Sequence, residues 1–295
     1  MVQAWRIQIQ QSSGHRATEI DVVNAFSELT AEIIGRFAFG TGHRGATEAV
    51  LAAIREMQKI ATTVSKDPPI LWYLPTRRNL QVRRLDRLMR TEVMEIMQAR
   101  VAAAKDGGGY GDDLIGMLLE ARSPERRGSG ETRTTLTTQE VIDEWKTFFA
   151  AGHETTATLL VWATFLLSVH PEWQDKVRAE VLRECGGGGE VPNLDILTSK
   201  LKLGQGCLGA DADEFNPARF ESGAVRDPKA LLSFSLGPRA CIGQSFGVME
   251  AQIVMALLLR NFSFSLCPKY VHKPKFSISM TPKLGMPLIV KELNE

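Results

Sequence analysis

The sequence predicts a mainly α-helical fold with a small β-hairpin near its C-terminus. Apolar residues recur at helical spacing through most of the chain up to Arg260. A capping box opens the longest of these runs, and only the residues after Arg260 carry short stretches of strand character.

In chain order, Thr18 to Phe39 places Ile20, Val23, Phe26, Leu29, Ile33, Ile34 and Phe37 at helical intervals, and Gly40 stops the run. A second helix covers about Ala46 to Val64, before Pro68-Pro69. A third, rich in Arg and Met, runs from near Arg78 to Lys105 and breaks at the glycines 107, 108, 109 and 111. Asp112 caps a short helix to Ala121, and a polar loop without apolar period follows from Arg122 to Thr135. Thr137-x-x-Glu140 is the capping box: the threonine oxygen accepts a backbone N–H and the glutamate reaches back. The long helix it opens runs over about 138–169. His170-Pro171 ends it and starts the next, which dies in Gly186 to Gly189, because proline at a first-turn position loses no intrahelical bond. Leu203 to Asp213 has no clear period. A helix covers about 244–260, and the runs Phe276 to Met280 and Pro287 to Val290 read as a hairpin joined by Thr281 to Gly285.

The 295 residues are 44% hydrophobic and 23% charged, an ordinary globular balance, and the sequence carries no internal repeat. A net charge of +1 suggests neither nucleic acid nor an acidic substrate. Cys185, Cys207, Cys241 and Cys267 lie too far apart for a zinc knuckle or a disulfide framework, which points to a reducing compartment. The first residues, Met1 to Arg6, read as neither signal peptide nor membrane anchor. The longest apolar stretch, Leu159 to Val169, is too short to span a bilayer.

Two segments carry chemistry. The first is Phe234-Ser-Leu-Gly237-Pro-Arg239-Ala-Cys241-Ile-Gly243. Cys241 sits just before a helix start, where unpaired N–H groups and the positive dipole end favour a thiolate. Gly237 and Gly243 let the backbone turn tightly against a flat ligand. Arg239 offers a cation for a carboxylate. The bland reading, a small buried cysteine, is the usual fate of a free thiol. The second segment is Ala151-Gly152-His153-Glu154-Thr155-Thr156, in the middle of the long helix. Gly152 leaves room for something flat to approach. Thr155 offers a hydroxyl there and Glu154 an acid one residue earlier, a pair suited to relaying protons. A zinc-protease H-E-x-x-H is excluded, since Thr155, Thr156 and Ala157 follow His153-Glu154 without a second histidine.

The first segment resembles the F-x-x-G-x-R-x-C-x-G haem-binding signature of the cytochromes P-450, the haem-thiolate monooxygenases. The second resembles that family's A-G-x-[DE]-T-[TS] motif over the haem. Asn216-Pro217-Ala218-Arg219-Phe220 resembles its P-E-R-F-type element. Tyr73 to Asn79 and the run His153 to Glu184 are most similar to plant members that oxidise hormones, terpenoids and fatty-acid-like molecules. The resemblance covers about Glu19 to Val290 and implies a single partial domain over 1–295. It implies haem as cofactor, with Cys241 as the iron ligand, Arg239 on a haem propionate and Phe234 beside the sulfur. Gly237, Gly243 and Gly152 would lie along the haem, with Glu154 and Thr155 serving proton delivery. A thiolate on haem iron favours O–O cleavage. The implied activity is insertion of one oxygen of O2 into a small hydrophobic substrate. Electrons would come from an NADPH-dependent reductase docking on the Cys241 side. Phe148, Phe149, Ala150 and Ala151 would line the pocket roof, and the turn Pro282 to Met286 its floor. Family members sit on the endoplasmic reticulum membrane facing the cytosol; without an anchor the chain would be cytoplasmic.

The sequence also departs from the family. Its E-x-x-R helix should follow Leu203 and pair with Arg219, but the chain passes within a few residues to Gly209-Ala210-Asp211. Glu180-Val-Leu-Arg183 spells E-x-x-R upstream and reads as a coincidence of surface charges. The family's first helices and their sheet have no counterpart, and Met1 falls just before its fourth or fifth helix. The alternatives to an enzyme are a non-catalytic haem-binding remnant and a chain that does not fold stably.

Overall fold

The computed structural model describes residues 1–12, 17–40, 43–64, 73–122, 136–185, 215, 217, 232–276 and 279–293. These divide into two compact units. One comprises Met1–Phe26, Thr156–Lys273 and Pro282–Glu295, the other Ser27–Thr155 and Pro274–Thr281. The elements in order are α1 (Val2–Gln11), β1 (Ala17–Asp21), α2 (Val22–Phe39), α3 (Arg44–Val64), α4 (Arg77–Lys105), α5 (Leu114–Arg122), α6 (Thr138–Val169), α7 (Pro171–Cys185), α8 (Gln244–Asn261), β2 (Phe262–Leu266), β3 (Pro274–Phe276), β4 (Met280–Pro282) and β5 (Pro287–Glu292). Mainly α with small antiparallel sheets is the predicted class. Arg219, the segment 203–213 and most of the loop 122–135 lie outside the described residues.

The first unit is built on a three-stranded antiparallel sheet in the order β1-β5-β2. Its register sets Ile20 opposite Leu288 and Phe264 opposite Val290, and all four are buried. Burying such cross-strand apolar pairs stabilises a short sheet. Trp5 of α1 lies 5.6 Å from Phe262 and 6.2 Å from Phe26, ring centre to ring centre. On α7, Val181 is buried against Ala256 of α8. The Gln174 amide donates to Phe264 O at 2.8 Å and accepts from Phe264 N at 3.0 Å. Arg178 Nε donates to Leu259 O at 3.0 Å, meeting a carbonyl that a helix C-terminus leaves without an intrahelical partner.

The second unit packs Phe39, Trp145 and Phe149 together, with Trp145 4.6 Å from Phe39 and 5.0 Å from Phe149. Lys146 of α6 reaches Asp86 of α4 at 2.8 Å, and Arg90 holds the other oxygen of Asp86 at 2.7 Å. The capping box forms as predicted: Glu140 N donates to Thr137 Oγ1 at 3.2 Å and Thr137 N to Glu140 Oε2 at 2.7 Å.

The structure corrects several expectations. The helix predicted from Thr18 starts at Val22, because Ala17–Asp21 pairs with β5 and long-range strand pairing overrides the helical spacing of Ile20. Asp21 then closes the strand-to-helix corner, its Oδ1 accepting from Val23 N at 3.2 Å and Met286 N at 2.9 Å. The short helix is capped by Asp113 rather than Asp112, since Asp113 Oδ1 accepts from Gly116 N at 3.0 Å. The turn at 281–285 is present, with Gly285 at φ 80°. Its flanks join different sheets, however: β4 pairs with β3, and β5 lies between β1 and β2. β5 has both edges satisfied without β4. Helix α1 and strand β2 were not foreseen. Phe149 is fully buried in its aromatic cluster, so it is core and not the open roof of a pocket. Arg183 is exposed and pairs with its neighbour Glu184 at 3.0 Å, in keeping with a surface charge.

Candidate functional site

In the first unit, Cys241 stands at the end of a loop turned by two short 3₁₀ segments, Leu232–Phe234 and Gly237–Arg239. Cys241 N donates to Phe234 O at 2.8 Å, which closes the loop across its own ends. Two residues inside it take left-handed backbone, Ser235 at φ 59° and Gly237 at φ 72°. Gly237 meets that demand without a side-chain penalty. Gly243 is the N-cap of α8 and brings no capping side chain, and Gln244 N of the first turn donates to Cys241 O at 3.4 Å.

The loop is open. Cys241 is exposed, Ile242 is 83% exposed and Leu236 46%. A free cysteine is ordinarily buried, so an exposed thiol amid exposed apolar residues marks a face that something else covers. Arg239 is exposed and forms no ion pair among the described residues. Phe234 is half-buried. A soft sulfur donor, a free cation two residues before it and apolar neighbours fit a thiolate-ligated haem with an anionic propionate edge. The described residues thus place Cys241, Arg239, Phe234, Gly237 and Gly243 on one short loop.

The second unit holds most of the other segment, in the middle of α6, where Ala151 and Thr155 are exposed. Thr155 is exposed and its hydroxyl donates to Ala151 O at 2.7 Å, leaving its lone pairs available as acceptors. Glu154 is half-buried and engaged on both oxygens. Gln58 Nε2 donates to Oε2 at 2.5 Å, and Ser279 donates to Oε1 through Oγ at 2.7 Å and N at 3.3 Å. The room left by Gly152 is taken by Ile34, whose Cδ1 would lie 2.7 Å from an added Cβ. That glycine serves the close packing of α2 on α6.

His153 is buried. Its Nε2 lies 3.1 Å from Ser27 O, a group that only accepts, so Nε2 carries the hydrogen. Its Nδ1 is buried without a partner. Burial above all, with the nearby Arg55 charge, holds its pKa below the usual imidazole value and keeps the ring neutral.

Three residues were missed by sequence reasoning. Gln58 and Ser279 meet Glu154 from distant points in the chain, and no local pattern announces them. Glu250 had a signal: it is an acid inside the apolar run of α8, between Met249 and Ala251. In the first unit it is 7% exposed, hydrogen-bonded to Thr156, and its Oε1 has no partner. Burial pushes its pKa up to about 7.

Comparison with known proteins gives the family of the chain. The family model described as Cytochrome P450 matches residues 1–201 and 210–289, so the match starts at residue 1, earlier than the expected Glu19. The chain is 34% identical to Cytochrome P450 709B1 of Arabidopsis thaliana, covering 100% of this chain and 65% of that protein. It is 33% identical to 11-oxo-beta-amyrin 30-oxidase of Glycyrrhiza uralensis, covering 93% of this chain and 62% of the relative. The chain therefore spans just under two thirds of the length of these curated relatives. Among solved structures, the crystal structure of cytochrome P450DA heme domain matches with a TM-score of 0.78 at 24% identity, over 99% of this chain and 72% of that one.

Proposed function

We propose, for a chain that belongs to the cytochrome P450 family, a haem-dependent monooxygenase activity on small hydrophobic molecules. The observation that carries this reading is the exposed Cys241 thiol on its closed loop. Cys241 would bind the iron and Arg239 a propionate, while Phe234 would shield the sulfur and Gly237 and Gly243 let the backbone lie close to the ring. When bound, haem supplies the activation of dioxygen. The chain's own part lies on α6: Thr155 orients a proton donor through its free lone pairs, and Glu154 holds a proton or a charge one residue away. Gly152 keeps α6 close to α2 at that point.

The substrate class we propose is terpenoid-like, because relatives at 33% identity carry the name 11-oxo-beta-amyrin 30-oxidase. Electrons would come from an NADPH-dependent reductase on the Cys241 side, and O2 is the co-substrate. The setting would be the cytosolic face of the endoplasmic reticulum. Among the described residues no helix is long and apolar enough to cross a membrane. The unbroken family match over 1–201 runs through residues of both units, which supports a single partial haem-thiolate domain over 1–295.

A second reading has its own observation. The match to the Arabidopsis relative extends over 348 residues against the 295 of this chain, and the family match breaks at 202–209. Positions present in that relative thus have no counterpart here, which favours a haem-binding remnant without turnover. One experiment separates the readings: absorption spectroscopy of the purified chain with haem, reduced under carbon monoxide. A red-shifted Soret band with product from a triterpenoid and a reductase supports the enzyme. The band without turnover supports the remnant, and no thiolate-type band refutes both.

A further inference from the structure

We propose that Gln58 and Ser279 are the positioning residues of the acid on α6, holding Glu154 by both carboxylate oxygens. The proposal rests on the reading of Glu154 as the proton-delivering acid and deepens it.

A glutamate in the middle of a helix has freely rotating side-chain torsions, and an acid that must act at one place loses by sampling many. Here that freedom is removed from two directions. Gln58 belongs to α3 and Ser279 to the connection between β3 and β4, and both reach Glu154 within the second unit. Ser279 spends two donors, its hydroxyl and its backbone N–H, on one oxygen. Gln58 takes the other at 2.5 Å. Hydrogen bonds to a carboxylate are charge-assisted and shorter than neutral ones, and the Ser279 hydroxyl at 2.7 Å fits that class. Thr155 next to it is pinned to its own helix instead, through Ala151 O. The pair of motif residues is therefore oriented by two means: the threonine by its own backbone, the acid by two other elements.

The arrangement has a chemical consequence. With donors on both oxygens, the Glu154 carboxylate can reach a further partner only when one donor turns away. Ser279 is the movable partner, since a serine hydroxyl rotates about one bond while its N–H stays in place. Gln58 is then the fixed point about which the carboxylate is oriented.

The test uses the full chain with carboxyl-¹³C glutamate and infrared spectroscopy, with Glu154→Gln subtracted to isolate the Glu154 carboxylate band. Gln58→Leu and Ser279→Ala should each shift that band, and Ser279→Thr, which keeps the hydroxyl, should restore it. A band unmoved in both variants overturns the proposal. A merely structural role would lower the melting temperature of both variants without moving the band. This readout needs no haem, so it decides the proposal even for a chain that takes up none, an outcome that would refute the monooxygenase reading alone. In chain that does bind haem, Gln58→Leu should raise the share of reductant consumed without product several-fold, and adding it to Glu154→Gln should change nothing further.

Discussion

Glu250 should make the first unit lose stability as pH rises through neutrality. Its carboxyl has an ordinary value of 4.5 and is pushed up to about 7 in the fold, by burial first, with the Thr156 hydrogen bond opposing. The folded chain therefore holds a proton between those values that the unfolded chain has released, and stability falls as pH rises wherever the folded state binds more protons. The contribution is fully present below the unfolded value and is lost as pH passes about 7. One pKa unit is worth ~1.4 kcal/mol, so the full difference is about 3 kcal/mol, approached above roughly pH 8. Glu250→Gln keeps the volume and the Thr156 hydrogen bond but cannot ionise. The assay is urea unfolding of wild type and Glu250→Gln from about pH 5 to about pH 8.5, with amide exchange of α8 followed in parallel. The difference between the two proteins isolates Glu250. His153 works in the other sense, because a depressed histidine pKa makes stability rise with pH up to the free value of 6.5. Superimposable pH profiles, or a wild type that gains stability relative to the variant as pH rises, would refute the reasoning.

Other outcomes follow from the same geometry. Cys241→Ala should abolish the thiolate-type carbon monoxide spectrum while leaving the melting temperature within a few degrees, since the side chain is exposed. Thr155→Ala should leave haem uptake unchanged and raise the fraction of oxygen released as peroxide in a coupled assay, provided the chain turns over. Gly152→Val should destabilise the second unit by roughly 1–3 kcal/mol in urea unfolding, as overpacking does, because the Ile34 side chain occupies the space. Ile34→Ala should recover part of that loss in the double variant. Asp21→Ala should cost about 1–2 kcal/mol, the scale of losing a helix cap, since Val23 N and Met286 N both lose their acceptor.

What could be read from sequence was what repeats over short distances. The runs of α3, α4, α6, α7 and α8 follow from apolar spacing and from the Thr137–Glu140 box, and the structure places those helices within a residue or two of the expected ends. The sheet was not legible in the same way. β1 and β2 owe their form to β5, which arrives only near the end of the chain, and no window around Ala17–Asp21 contains that information. The loop of Cys241 could be read because its turn chemistry is local: Gly237 for the left-handed position, Gly243 for a helix start without a capping side chain. The hold on Glu154 could not, because hydrogen bonds from Gln58 and Ser279 join residues about a hundred positions away on either side. Gly152 shows the reverse case. Its motif suggested room for a ligand, and tertiary packing filled that room with Ile34.

The openness of the Cys241 loop also bears on how the chain behaves in the test tube. Cys185 is half-buried beside Val181, and Cys267 is buried with its thiol directed at Glu19 at 3.6 Å, so neither offers its sulfur freely. Cys241 does. Whatever lets iron reach that sulfur admits peroxide, alkylating reagents and a second thiol equally, and oxidation of exposed cysteines proceeds from sulfenic acid to disulfide or beyond. Among the three described cysteines, a preparation made without haem would thus age first at Cys241. Covalent dimers on a non-reducing gel would be the early sign, and timely addition of haem or reductant the remedy.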